Sequence, residues 1–238
     1  MGLLMAQNEI SDMRQKITRR IIQVLVSTFI QGLILFLAAG TLAWDWGWVF
    51  IGSYLGAILL NAVVLFLINP AVIAERADTK GAKSWDQVWG TLAFGMMMIG
   101  LPLVGGLDFR FGWSRGVNQS VHLAGVGLFL AGGLFFAWAM AFNAKFSTVV
   151  RVGDAESHPV AMGGPYRIIR HPGYLGACLQ SLGLPLLYGS WWGYIAASLA
   201  IVFLIVRTAL EDRTLQAELP GYDRLVQQTP YRLLPGIW

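Results

Sequence analysis

Charge is scarce in this chain. Of its 238 residues only 13% are charged and 56% are hydrophobic, with a mean hydropathy of +0.59, which excludes a water-soluble globular domain. Cysteine is almost absent. The one present, Cys178, lies inside an apolar stretch, so there is neither an intramolecular disulfide nor a cysteine-based metal site. No basic cluster stands out either. The net charge of +4 comes from residues dispersed at the ends of apolar segments, a pattern that argues for membrane orientation and against nucleic acid. The chain also lacks an internal repeat and a low-complexity linker, so it reads as one integrated domain.

What is abundant is long apolar sequence. Uncharged runs occupy roughly 21–43, 47–69, 88–106 and 121–144, each long enough for the 20 or so helical residues that cross a bilayer. A fifth apolar region, 173–210, is broken by Tyr188-Gly189-Ser190-Trp191-Trp192-Gly193, whose glycines and interfacial aromatics suit a turn at the membrane surface. The expected fold is therefore all-α: a polytopic transmembrane bundle of four spans plus a C-terminal helical hairpin. The first arm of that hairpin, 173–187, is short and contains Pro185, so it either crosses incompletely or lies against other helices. Arg14, Lys16, Arg19 and Arg20 precede the first run, and no small-residue cleavage site follows; this start reads as a retained anchor.

Six crossings would place the N-terminus, the 70–87 loop, the 145–172 loop and the tail after 210 on one side. That side would hold 15 of the 17 lysines and arginines, leaving Arg110 and Arg115 opposite. The positive-inside rule then puts both termini in the cytosol.

Polar chemistry concentrates after residue 144. The densest stretch is His158-Pro159-Val160, Gly163-Gly164-Pro165-Tyr166-Arg167 and Arg170-His171-Pro172-Gly173-Tyr174-Leu175-Gly176. Its prolines and glycines predict a rigid folded loop that exposes backbone groups to a ligand; an ordinary basic loop against lipid phosphates is the plainer reading. A second cluster, Arg207, Glu211, Asp212 and Arg213, ends the last apolar helix. Positions 207 and 211 share a helix face, so they pair with each other or jointly grip a zwitterionic ligand. A snorkelling arginine with a local salt bridge is the alternative.

Together these clusters resemble the isoprenylcysteine carboxyl methyltransferase and phospholipid methyltransferase superfamily. The resemblance rests on His158, Tyr166, Arg170-His171-Pro172, Tyr174 and Gly176, followed about 35 residues later by the acidic pair. It continues in Phe142-Asn143, Pro220-Gly221-Tyr222 and Tyr231-Arg232-Leu233-Leu234-Pro235-Gly236, spanning about 142–238. It implies an integral membrane methyltransferase that binds S-adenosylmethionine on the cytosolic side. Residues 145–238 would form the cofactor region, and 1–144 the N-terminal transmembrane helices. By the same resemblance His158, Tyr166, Arg170, His171 and Tyr174 line the cofactor pocket, Pro172 shapes it, and Glu211 holds a polar group of cofactor or acceptor. Where the family shows two glutamates this chain has Glu211-Asp212.

Methyl transfer from a sulfonium is an in-line displacement that mainly needs alignment and exclusion of water, with no metal and no covalent nucleophile. Tyrosine faces stabilise the sulfonium, and an arginine fork holds a carboxylate. Arg207, Glu211 and His171 are the candidate catalytic residues, His171 or Glu211 serving as base when the acceptor must lose a proton. The acceptor is lipophilic and membrane-partitioned: a carboxylate, an amine or a thiol. No strand followed by a glycine-rich turn opening a helix is present, which excludes a soluble methyltransferase fold. The alternatives are an NADPH-dependent membrane reductase and a non-catalytic membrane scaffold.

Other features take structural readings. His122 is an interfacial hydrogen-bonded histidine, and Met96-Met97-Met98 are packing residues. Asn69-Pro70 followed by Glu75-Arg76 reads as a solvated salt-bridged loop, the alternative being a turn that covers the pocket, and Asn61 either bonds a neighbouring helix or faces a cavity. Trp44, Trp46, Trp48 and Trp113 form an outer aromatic belt.

Overall fold

The computed structural model describes residues 2–69, 71–77, 81–150 and 159–238, with side chains described from residue 14 onward except at 71 and 74. The described residues are helical, with no strand. With no water in the bilayer core, only a helix satisfies its own backbone along a single uncharged run. The first helix, α1 (Gly2–Ala39), starts upstream of its apolar part and carries the basic residues on the same rod. Then come α2 (Asp45–Ile68), the short α3 (Ala71–Glu75), α4 (Ser84–Gly95), α5 (Leu101–Phe111), α6 (Gln119–Ala141), α7 (Pro172–Tyr188), α8 (Gly193–Glu218) and α9 (Tyr222–Gln228).

Five rods are long and apolar enough to cross a membrane: Arg14–Ala39, Asp45–Ile68, Ser84–Phe111, Gln119–Ala141 and Gly193–Glu218. The chain thus has the build of an integral membrane protein. One face of the bundle carries α3, residues 142–150 and 159–171, and the tail after α8; it is called the loop face below. The connections 40–44, 112–118 and 189–192 lie at the opposite face.

The third rod is α4 and α5 joined by a π-turn, Met96–Gly100. The reason is Pro102: it has no N–H to give, and its ring excludes the carbonyl four residues back, so a widened turn absorbs the mismatch. The methionines sit in this irregularity, where Met96 and Met97 pack against buried clusters as expected.

The short arm, α7, runs antiparallel to α6 and is buried among the other rods. Its 17 residues make about 25 Å of helix. Phe136 meets its start at Gly173 and Gly176, and Gly125 meets its end at Leu187, so it traverses most of the depth of the α6 span. Glycine makes the approach possible: a Cβ on Gly132 would stand 2.7 Å from the Gly176 carbonyl oxygen, and one on Gly183 would stand 2.9 Å from that of Gly125. Small residues of this kind let membrane helices pack by direct backbone contact. Pro172 opens α7 at N1 and Gly189, with φ +68°, closes it, as expected of a helix with proline inside its start and glycine past its end.

At the face opposite the loops, Asp108 is buried and accepts from Ser114 N (2.7 Å), Ser114 Oγ (2.7 Å) and Ser190 Oγ (2.5 Å). His122 is hydrogen-bonded as expected, its Nδ1 2.8 Å from the Leu187 carbonyl oxygen, with Trp46 stacked on its ring at 4.2 Å. The aromatic belt is smaller than the sequence implies. Trp48 and Trp113 are exposed, but Trp44 is 4% exposed and stacks on Phe109, so it belongs to the core.

Candidate active site

At the loop face the 163–171 segment folds onto the tail. Gly164–Arg167 make one 3-10 turn that buries Pro165 and Tyr166. The chain then runs to His171 with its backbone paired to the tail: Arg170 N donates to the Tyr231 carbonyl (2.9 Å), and His171 N to that of Arg232 (3.0 Å). Thr229 Oγ1 closes the same seam on the Tyr166 carbonyl at 2.9 Å. The segment is thus folded as expected, but the Arg170 and His171 amides face the tail, not a ligand. Gly173 and Gly176, read with the loop from sequence, belong to α7.

The centre of this arrangement is Asp212, fully buried on α8. Arg170 grips it with a fork, Nε to Oδ1 at 2.8 Å and Nη2 to Oδ2 at 3.0 Å. Tyr222 Oη (2.9 Å), Gln216 Nε2 (2.7 Å) and Arg232 Nε (2.7 Å) donate as well, and His171 Nε2 stands 3.3 Å away. Arg170 Nη1 donates to the carbonyls of Thr229 and Pro230, both at 2.8 Å. All three nitrogens of that guanidinium are committed, in a side chain of a residue only 5% exposed. Burial, then the Asp212 charge, pushes the Tyr222 phenol up from its ordinary value, so it stays a donor to the carboxylate.

One residue earlier on α8, Glu211 turns to a different partner, accepting from the Tyr174 hydroxyl. The Tyr174 ring is held from two sides, stacked on His171 at 5.8 Å and 13°, with the Arg207 guanidinium 5.3 Å from its centroid. Arg207 does not pair with Glu211, although the i, i+4 spacing allows it. Its Nε donates to Asp86 Oδ1 at 2.6 Å and its Nη2 to the Thr148 carbonyl at 3.0 Å. Asp86 Oδ2 in turn accepts from Val150 N at 2.7 Å. A buried carboxylate on α4 offers Arg207 a stronger partner than a partly exposed neighbour on its own helix.

Tyr166, Arg170, His171, Pro172, Tyr174, Arg207 and Glu211 therefore lie together around the end of α8. His158 lies outside the described residues. Burial pushes the Tyr166 phenol up, so it remains protonated; it accepts from Asn143 Nδ2 at 3.2 Å.

Sequence reasoning missed Asp86, Tyr222 and Arg232 as members of this network. It also misplaced Arg76. That side chain is not in a solvated loop: its guanidinium sits 5.3 Å from the ring centres of both Phe136 and Phe146. Burial first, then the neighbouring charges of Arg20 and Arg207, lowers its pKa from the usual arginine value. Glu75 alone keeps the expected loop contact, 3.6 Å from Lys145. Among the described residues no group of three His, Cys, Asp or Glu side chains stands close enough to hold a metal ion.

The comparisons bear on this geometry. Residues 120–220 match the family model described as phospholipid methyltransferase, a member of the isoprenylcysteine carboxyl methyltransferase-like superfamily of membrane methyltransferases. A search of curated proteins found no match to the chain. The match begins in α6 and ends just past α8, so it takes in the glycine-packed pair, the buried loop and both carboxylates of the Glu211-Asp212 step. It supports membrane methyltransferase activity in general.

Proposed function

We propose that this chain transfers the methyl group of S-adenosylmethionine to a lipophilic, membrane-partitioned acceptor at the cytosolic face of the bilayer. The observation that carries the reading is the meeting of the Arg170-His171-Pro172-x-Tyr174 turn with the acidic end of α8, through Asp212 and Glu211.

The residues present fit the cofactor. Glu211 is not spent in an ion pair like those of Asp212 and Asp86; it accepts from Tyr174 and is partly exposed. Thr148 Oγ1, buried beside the carbonyl that Arg207 holds, has no partner. Glu211, Tyr174 and Tyr166 would hold the cofactor, with His158 as a further contact implied by the family resemblance. When bound, S-adenosylmethionine supplies an electrophilic methyl group on a sulfonium. The Tyr174 ring already carries the Arg207 guanidinium and stacks on His171, so it contributes to the site through the hydroxyl that bonds Glu211. Arg170 and Asp212 act through their neighbours as positioning residues: they fix the turn on which His171 and Tyr174 stand. Glu211, as a carboxylate, either accepts hydrogen bonds from a ligand or takes a proton from an acceptor that must lose one. Residues 145–238 form the body of this site, but Asp86 on α4 anchors Arg207, so the N-terminal helices are part of it.

The test is calorimetric titration with S-adenosylhomocysteine. Wild type should bind in the micromolar range, and Glu211→Ala should weaken binding by roughly tenfold or more, the equivalent of about 1.4 kcal/mol. An unchanged isotherm for Glu211→Ala removes that residue from the site, and absence of binding to the wild type removes the reading.

A further inference from the structure

Three arginines stand at the loop face on or near the site, and their fates differ. Arg170 is saturated by Asp212 and two carbonyls, and Arg207 is neutralised by Asp86. Arg76 has neither arrangement. Its described contacts are the faces of Phe136 and Phe146, and no described carboxylate bonds it. The charged groups that act on it, Arg20 on α1 and Arg207 on α8, are of its own sign. A partly buried guanidinium among rings and other guanidiniums is costly without a counter-ion.

The surroundings of Arg76 extend between the spans rather than toward the tail. Tyr54, on α2, lies within electrostatic reach of both Arg76 and Arg20, against Gln31 and Ser27 of α1. Gln31 is 1% exposed with its amide against Tyr54, and Asn61 Oδ1 is buried with no hydrogen-bond partner. Asn61 lies on α2 between Ala57, which faces Gly133, and Leu65, which packs in one cluster with Met140, Phe136 and Phe146. The i, i+4 spacing turns it toward the same side of α6 as the ring under Arg76. Unpaired amide groups inside a membrane bundle cost several kcal/mol each and mark where polar atoms of a ligand belong.

We propose that Arg76, backed by Arg20, is the receptor for an oxyanion, a phosphate or carboxylate, carried by the amphiphilic ligand that enters the bundle from the bilayer. The oxyanion neutralises the surplus positive charge, the phenylalanine rings cover it, and the glycerol or ester oxygens beneath it meet Asn61. Arg20 and Arg76 both precede the 120–220 segment that matches the family, whereas Phe136 and Phe146 lie within it, so this site joins the N-terminal helices to the matched segment. As an acceptor site it rests on the methyl-transfer reading; as an anion site it does not.

The test uses the full chain in maltoside micelles, titrated by native mass spectrometry with dioctanoylphosphatidylglycerol and, as uncharged control, dioctanoylglycerol. Wild type should prefer the anionic lipid by at least roughly tenfold, about 1.4 kcal/mol. Arg76→Gln should erase the preference and Arg76→Lys should keep part of it, both with melting temperatures close to wild type. S-adenosylhomocysteine titration of the same Arg76→Gln protein should give a dissociation constant within about twofold of wild type. An undiminished lipid preference in Arg76→Gln overturns the proposal. So does a loss of S-adenosylhomocysteine binding in that variant, because Arg76 would then hold the donor's carboxylate. A wild type that prefers the anionic lipid but ignores S-adenosylhomocysteine sinks the methyl-transfer reading and keeps the anion site.

Discussion

Neighbouring carboxylates on one helix do different work here. Asp212 has no exposed surface and takes hydrogen bonds from Arg170, Arg232, Tyr222 and Gln216, whereas Glu211 meets Tyr174. A shorter side chain at 212 keeps the carboxylate close to α8, where two guanidiniums converge on it. Removing it leaves Arg170 buried without its counter-ion, so Asp212→Ala should lose about 3–5 kcal/mol of stability, seen as a large fall in melting temperature. Glu211→Gln should melt within a few degrees of wild type, since a partly exposed, singly bonded carboxylate contributes little. Equal melting temperatures for the two variants would refute this division of roles. The sequence showed both acids and their spacing from the Arg-His turn. It did not show which acid faces inward, because that depends on the rotation of α8 about its own axis.

Helix pairing in this bundle depends on glycine. Between α6 and α7, Gly125, Gly132, Gly176 and Gly183 bring backbone against backbone, and each added Cβ would fall below 3 Å from a main-chain atom across the interface. Gly183→Val should therefore lower stability by about 1–3 kcal/mol or more, because the clash is with backbone that cannot rotate away. Gly127→Ala, on α6 but facing open space, should be neutral or gain up to about 1 kcal/mol from helix propensity. Melting curves of the two variants side by side decide the matter; a tolerated valine at 183 would mean that the pair is not closely packed. The glycines were plain in the sequence as interruptions of apolar runs. Their partners were not, since a long connection separates α6 from α7. The π-turn was hidden too: Pro102 was visible, but from sequence the helix could have kinked, ended or widened there, and the structure shows the last.

Across the whole molecule, alternation of the rods puts the basic segments and the candidate site on one face. Among the described residues the lysines and arginines other than Arg110 and Arg115 belong to that face, and by the positive-inside rule we propose that it is the cytosolic one. In sealed vesicles of known sidedness, Arg213→Cys should react with a membrane-impermeant maleimide only from the cytosolic side, and Arg115→Cys only from the other. The native Cys178 is buried and should not interfere. Reaction of both cysteines from one side would refute the topology.

Composition and periodicity alone determined that the chain is a helical membrane bundle with a C-terminal hairpin, and pointed to a polar, proline-bracketed candidate site after residue 144. Long uncharged runs leave a chain no other way to satisfy its backbone in lipid. Only the tertiary structure decided the partners of the charged groups: Arg207 with Asp86 from α4, Arg170 with Asp212, and Arg76 with no described carboxylate. Those choices depend on which helix faces meet and how far each group is withdrawn from water, and neither quantity is local in sequence.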